Sequence, residues 1–502
     1  MGKAKKSMLV TLVALILLVG GLLTHKSVQK HKVFTNVDFL SPEEKIYGLS
    51  VIWETAKNYY GMWDLVPELD WDSAYQDAIG HVLETDNLYE YQQELRAFVA
   101  LLRDGHSQLM CSNEDYLTAL QTGNGFWLCP ISLQYMEDAF VVRTAACSVL
   151  KEVPLGSVVT RINGQPTVEY LEQEYGRYVG YHTHGKREDK LAEEMQLSDR
   201  KKELTLSGLT PEGRNFQVVL SYTNNLWSRR SIDRGDALSK ELKKGMIIRD
   251  SFSSYVVQDT VHVAKISDFR NVAIQEEFAT WIQQTQSTAT AYILDVRGNN
   301  GGSDSNAKAV LRHFIASDDL GTLTFYKQHR DVTQITTGLM MENSMDELES
   351  GSWQEQFCQD GIAMYEHRYY VANKEGISCP DANEEKATES EMVALCHQPL
   401  VILTDWNCGS AGDDFAAFAK GAPNVAIIGT NTAGGTGQLL IEELPGEIRF
   451  AISTYNCIQV DGNPICNNGV SPDIWCEQTV MDALAGRDTV LLEAIEYLSK
   501  KK

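Results

Sequence analysis

A serine stands at residue 410, between a run that reads as a buried strand, PLVILTD (399–405), and one that reads as a helix, AGDDFAAFAKG (411–421). A side chain at such a turn lies at the positive end of a helix dipole, among amides with no helical acceptor. An oxyanion formed there could be held by those amides, which is what acyl transfer requires. The plainer reading is an N-cap: Asp413 sits three residues on, in the position of a capping box. The segment is CGSAG rather than G-x-S-x-G, because residue 408 is cysteine. No histidine occurs within ten residues of Ser410, so a base for it must come from elsewhere in the chain.

Three other segments carry residues of the right types. LDVRGNNGGSDS (294–305) places glycines between a buried strand and a helix, where backbone can approach closely and amides point outward. It matches neither a dinucleotide fingerprint nor a phosphate loop, and an ordinary glycine-rich turn explains it equally well. LLRDGHSQL (101–109) ends a helical run with His106, whose ordinary pKa suits a general base, though a lone histidine is more often structural. His182 and His184, in GYHTHGKRED, could share a strand face and hold a metal, but the surroundings read as a polar loop. GNPICNNGVSPDI (462–474) says only turn and loop by itself.

These residues need elements to carry them. Residues 38–120 read as three to four helices, the first opened by a Ser41/Glu44 capping box and carrying Ile46, Leu49, Ile52, Trp53, Ala56 and Tyr60 at helical spacing. Residues 121–225 alternate with period two, with an Asn163-Gly164 turn, and read as a small β-rich module. Residues 226–254 read as a linker. From 255 to 502 strands and helices alternate, which implies an α/β core with a partly parallel sheet. A polar, acidic stretch near 330–395 reads as a surface insertion in that core.

The chain of 502 residues has a formal charge of −24, which offers no basic footprint for nucleic acid. At its start, MGKAKK precedes an apolar run from Met8 to Leu23. Basic residues before an apolar run of this kind predict a signal anchor with the rest of the chain outside the cytoplasm; a cleaved secretory signal is the alternative. Ten cysteines in that setting make disulfides an expectation, with Cys457 and Cys466 across the CIQVDGNPIC turn the easiest pair to bridge. No C-x-x-C pair occurs, so no zinc site is expected.

In their order along the chain, DGHS, VVTRINGQP, LDVRGNNGG, SAGDDFA and NNGVSPDI resemble the tail-specific (C-terminal processing) protease family of serine peptidases. The resemblance covers nearly everything after the apolar run. It implies a multi-domain α/β (α+β) architecture: helical cap, PDZ-like module for 121–225, and α/β peptidase core for 255–502. It implies Ser410 as nucleophile and oxyanion amides from Ala411 and from Gly301 or Gly302. The lysine-dependent branch carries its base in a G-K-G-T step. The corresponding TAGGTGQ has Gly435 in place of that lysine. The chain is therefore similar to the histidine-dependent branch, with the tricorn protease core and nisin-resistance-type peptidases, which implies His106 as base. Asp104 or Ser107 is the expected orienting residue, since Cys466 stands where some relatives have glutamate.

The implied function is an extracytoplasmic, membrane-anchored serine endopeptidase that acts on peptide or protein substrates without metal or organic cofactor. The alternatives are a non-catalytic peptide- or lipid-binding protein on the same fold, and a related esterase.

Overall fold

The computed structural model describes residues 40–122, 125–224, 229–232, 246–327, 332–366 and 396–501. The Met8–Leu23 run, Cys379 and the acidic SCPDANEEKATESE lie outside the described residues. Among the described residues no helix is long and apolar enough to cross a membrane.

The cap opens as its sequence dictates. Pro42–Tyr59 is a helix whose Ser41 hydroxyl accepts from Glu44 N, while the Glu44 carboxylate accepts from Ser41 N. Leu49, Ile52 and Ala56 are fully buried on its apolar face, against Tyr91, Leu95 and Phe98 of the helix Leu88–Ala100. The cap does not close its own core. Leu440, Leu444, Ile448, Phe450 and Ile452, from a hairpin far along the chain, complete the cluster. That hairpin pairs Leu439–Leu444 with Ile448–Ser453, and Gln108–Cys111 of the cap adds to it antiparallel, Gln108 opposite Ala451.

The β-rich module is a seven-stranded sheet built mainly from Ile131–Met136, Ala139–Ala146, Val158–Ile162, Glu203–Leu209 and Asn215–Ser221. The expected linker is partly structured: Arg229–Ser231 pairs with Ala139–Ala146, and Ile247–Ile248 joins the core sheet.

The core sheet runs Ile247–Ile248, Ser253–Val257, Val261–Lys265, Ala291–Asp295, Leu400–Thr404, Val425–Gly429, Ile474–Trp475 in spatial order, parallel from Val261 onward. Ala291–Asp295 and Leu400–Thr404 are buried at every position, as parallel strands covered on both faces must be. The architecture is thus mixed α/β with a partly parallel sheet, as expected.

Two expectations change. Residues 332–366, read as part of a polar insertion, form the helices Val332–Met341 and Trp353–Glu366, and Val332 and Ile335 are buried in the cap cluster. Their apolar positions were diluted by the acidic stretch that follows. The described cysteines are all thiols. Cys457 packs into the α/β core, whereas Cys466 packs in the cap cluster with its Sγ 4.0 Å from Asp104 Oδ1. The turn between them sends the two side chains to different cores, so the expected bridge is absent.

Candidate active site

Ser410 follows the strand Leu400–Thr404 and immediately precedes the helix Ala411–Ala419. Its backbone is strained, with φ +56° and ψ −128°, and its side chain makes no capping bond. The N-cap expectation therefore fails for the hydroxyl, which is left free for other partners. The strain is held by the surroundings. Ser410 N donates to Gly435 O at 2.7 Å and Gly409 N to Asn299 O at 2.9 Å. Asp413 reaches the 432–435 loop. Its carboxylate accepts from Thr432 Oγ1, Gly434 N and Gly435 N. Complete burial pushes the Asp413 carboxyl up to about 6, against the pull of those donors.

The glycine-rich turn lies directly beside this serine. Gly301 has φ +84°, and a Cβ there would stand 2.5 Å from Ser410 Cβ and 2.9 Å from Ala411 N. Only glycine fits. The amide of Gly301 already donates to Asn299 Oδ1 at 2.8 Å. That narrows the expected oxyanion donors to Gly302 and Ala411. Arg297 anchors the start of the turn through bonds to Asp295 and a two-pronged pair, 2.7 Å each, with Asp488.

His106, from the cap, borders Gly435 of the 432–435 loop. A Cβ placed on Gly435 would lie 3.5 Å from His106 Cβ, while the carbonyl of Gly435 holds Ser410 N. One residue thus borders both the serine and the histidine. Asp104 and Ser107, the expected orienting residues, do not bond the imidazole. Asp104, fully buried, accepts from the backbone of His106 and Ser107 and from the Ser107 hydroxyl, so it fixes the loop. The ring is met by Ser453, whose Oγ is 3.1 Å from His106 Nδ1. Ser453 N donates in turn to Ser107 Oγ at 3.1 Å. The only sequence signal for Ser453 is that it ends a strand, so residue type and spacing could not find it. Burial lowers the His106 pKa, partly offset by the Asp104 charge.

His182 and His184 do not share a face. His182 packs on Gly105, where a Cβ would stand 2.0 Å from its Cε1. His184 contacts Glu188 and the Tyr135 hydroxyl. Among the described residues no group of histidine, cysteine and acidic side chains could hold a metal.

Residues 260–476 match Peptidase family S41. The chain carries a family S41 peptidase core. It is thus a serine-type peptidase, and the matched region contains Ser410, Gly301, Gly302 and Gly435, while His106 lies outside it. No curated protein sequence matches the chain. Among solved structures, the chain is similar to mature CPAF, with 17% identity over 91% of this chain and 96% of that one and a TM-score of 0.60. The mature CPAF complexed with lactacystin gives 17%, 91%, 97% and 0.59. A putative peptidase from Parabacteroides merdae covers 97% of its own length at 17% identity and a TM-score of 0.45. The CPAF likenesses extend the shared fold across the cap and β-rich module of the chain.

Proposed function

We propose that this chain hydrolyses peptide bonds with Ser410 as nucleophile and His106 as general base. The observation that carries the reading is Gly435, which touches both residues. At the position where the resemblance puts a lysine, the space beside the backbone is taken by His106. The base has been exchanged in place.

In this scheme Nδ1–H of His106 donates to Ser453 Oγ. That tautomer leaves Nε2 with a lone pair for the Ser410 proton. Ser410 Oγ attacks the scissile carbonyl, and the oxyanion is received by the amides of Gly302 and Ala411. His106 then returns the proton to the leaving amine, and water repeats the cycle on the acyl-enzyme. Asp104 and Ser107 act on the loop that holds His106. The third partner of the ring is a hydroxyl, not a carboxylate.

A fluorophosphonate probe tests this. Labelling of wild type and its loss in Ser410→Ala are expected, with peptide hydrolysis falling at least ~10⁴-fold in Ser410→Ala and in His106→Ala. An unlabelled wild type that leaves unstructured peptides intact would favour a binding protein on this fold. Preference for esters over peptides in the same assay would mark an esterase. We also place the chain at the membrane, with the peptidase outside the cytoplasm, on the strength of the basic and apolar N-terminal sequence. Release of the protein by alkaline carbonate from membranes would contradict the anchor.

A further inference from the structure

Trp406 belongs by sequence to the core, four positions before Ser410, yet its side chain lies in the other module. It is 7% exposed and sits in a hydrophobic cluster whose other members all lie between residues 127 and 222. Gly185 is flush with its ring: a Cβ there would be 2.6 Å from Trp406 Cε3. Its indole N–H donates to Asp189 Oδ2 at 3.0 Å, and the other oxygen of Asp189 accepts from Tyr135 N at 2.7 Å. Both oxygens of this buried carboxylate are therefore used, one by each module.

Neighbouring residues of the same segment repeat the attachment. Lys186 Nζ donates to Asn407 Oδ1 at 2.8 Å. Thr183 donates through Oγ1 to Thr432 O at 3.0 Å and through its amide to Ala433 O at 3.3 Å. Ala433 N donates to Cys408 O at 2.8 Å, which joins the two core loops to each other. Residues 183–189 thus grip both loops that frame Ser410. The backbone of Ser410 is in a region costly for a residue with a side chain, and such a conformation persists only while its surroundings enforce it.

We propose that Asp189 and Trp406 tether the Ser410 turn to the β-rich module, and that Asp189 is a positioning residue for the nucleophile. The proposal rests on the reading of Ser410 as nucleophile. The tether acts on the geometry of attack, so it should appear in turnover and in probe reactivity, not in substrate affinity.

The test uses the full-length chain. Trp406→Phe keeps a smaller aromatic ring and removes the N–H; Asp189→Asn leaves one acceptor oxygen for two donors. Both are expected to lower kcat and the rate of fluorophosphonate labelling about tenfold, with KM changed less than about twofold. Wild-type labelling rates and kcat in both variants, with only the thermal midpoint lowered, would reduce the contact to packing and overturn the proposal. A raised KM at unchanged kcat would overturn it too, by moving the effect to substrate binding. If Trp406→Phe does not fold, Asp189→Asn decides alone. A wild type that the probe does not label at all removes the nucleophile assignment, and the tether's role falls with it; that outcome is distinct from labelled wild type with unaffected variants.

Discussion

The proposed nucleophile and the proposed base are built in opposite ways. Ser410 rests on a strand, a turn and a helix that are contiguous in sequence, and its closest neighbours, Gly301 and Gly435, come from the same sheet's loops. His106 needs distant partners as well as local ones. Its loop is fixed by the buried Asp104, and its ring meets Ser453, 347 residues away. The strand that delivers it, Gln108–Cys111, exists because Ile448–Ser453 is there to pair with it. A nucleophile can be encoded by a short segment, because a helix start supplies amides automatically. A base that must face it across a cleft is a product of tertiary structure.

Three experiments press on this contrast. The largest effect is expected from Gly435→Lys. The backbone there is not left-handed and a Cβ would meet His106 at an ordinary contact distance, so Gly435→Ala should keep activity within several-fold. The longer lysine must displace the imidazole, and kcat should fall about 100-fold or more while the chain stays folded. Full activity in Gly435→Lys would show that His106 does not need that place.

Ser453→Ala comes next. It removes one hydrogen bond to the ring, a loss of about 1 kcal/mol in net terms and so roughly fivefold in rate if the bond matters in the transition state. Wild-type kcat in this variant would mean that the tautomer is set by something else.

The smallest effect is a displacement of the pH profile. Burial lowers the His106 pKa, and its neutral form is the working base. The acid limb of kcat/KM should therefore lie below the usual histidine value of about 6.5, with activity retained as pH falls through that value. A limb at or above 6.5 would contradict a desolvated imidazole.

What the sequence showed follows the same division. The buried runs at 291–295, 400–404 and 425–429 and the Ser41/Glu44 cap were legible because each depends on neighbouring residues. His106 was legible only through the order of segments that resemble a family, never through its own surroundings. Ser453 was invisible: a serine at a strand end has no spacing that marks it. The helices at 332–341 and 353–366 were hidden because their burial comes from the cap, which no local pattern announces. The free Cys457 and Cys466 teach the converse. Nearness in sequence suggested a bond, and a tight turn put the two thiols into separate cores.

The pairing of Gln108–Cys111 with Ile448–Ser453 also sets a timetable. A ribosome releases the chain from its N-terminus, so His106 emerges 347 residues before Ser453. Until the late hairpin arrives, the histidine loop has no strand to lie on and the cap lacks part of its core. The two halves of the proposed dyad cannot meet in a nascent chain. Such long-range pairing is slow to form, so the proposed dyad is completed only when the whole fold is.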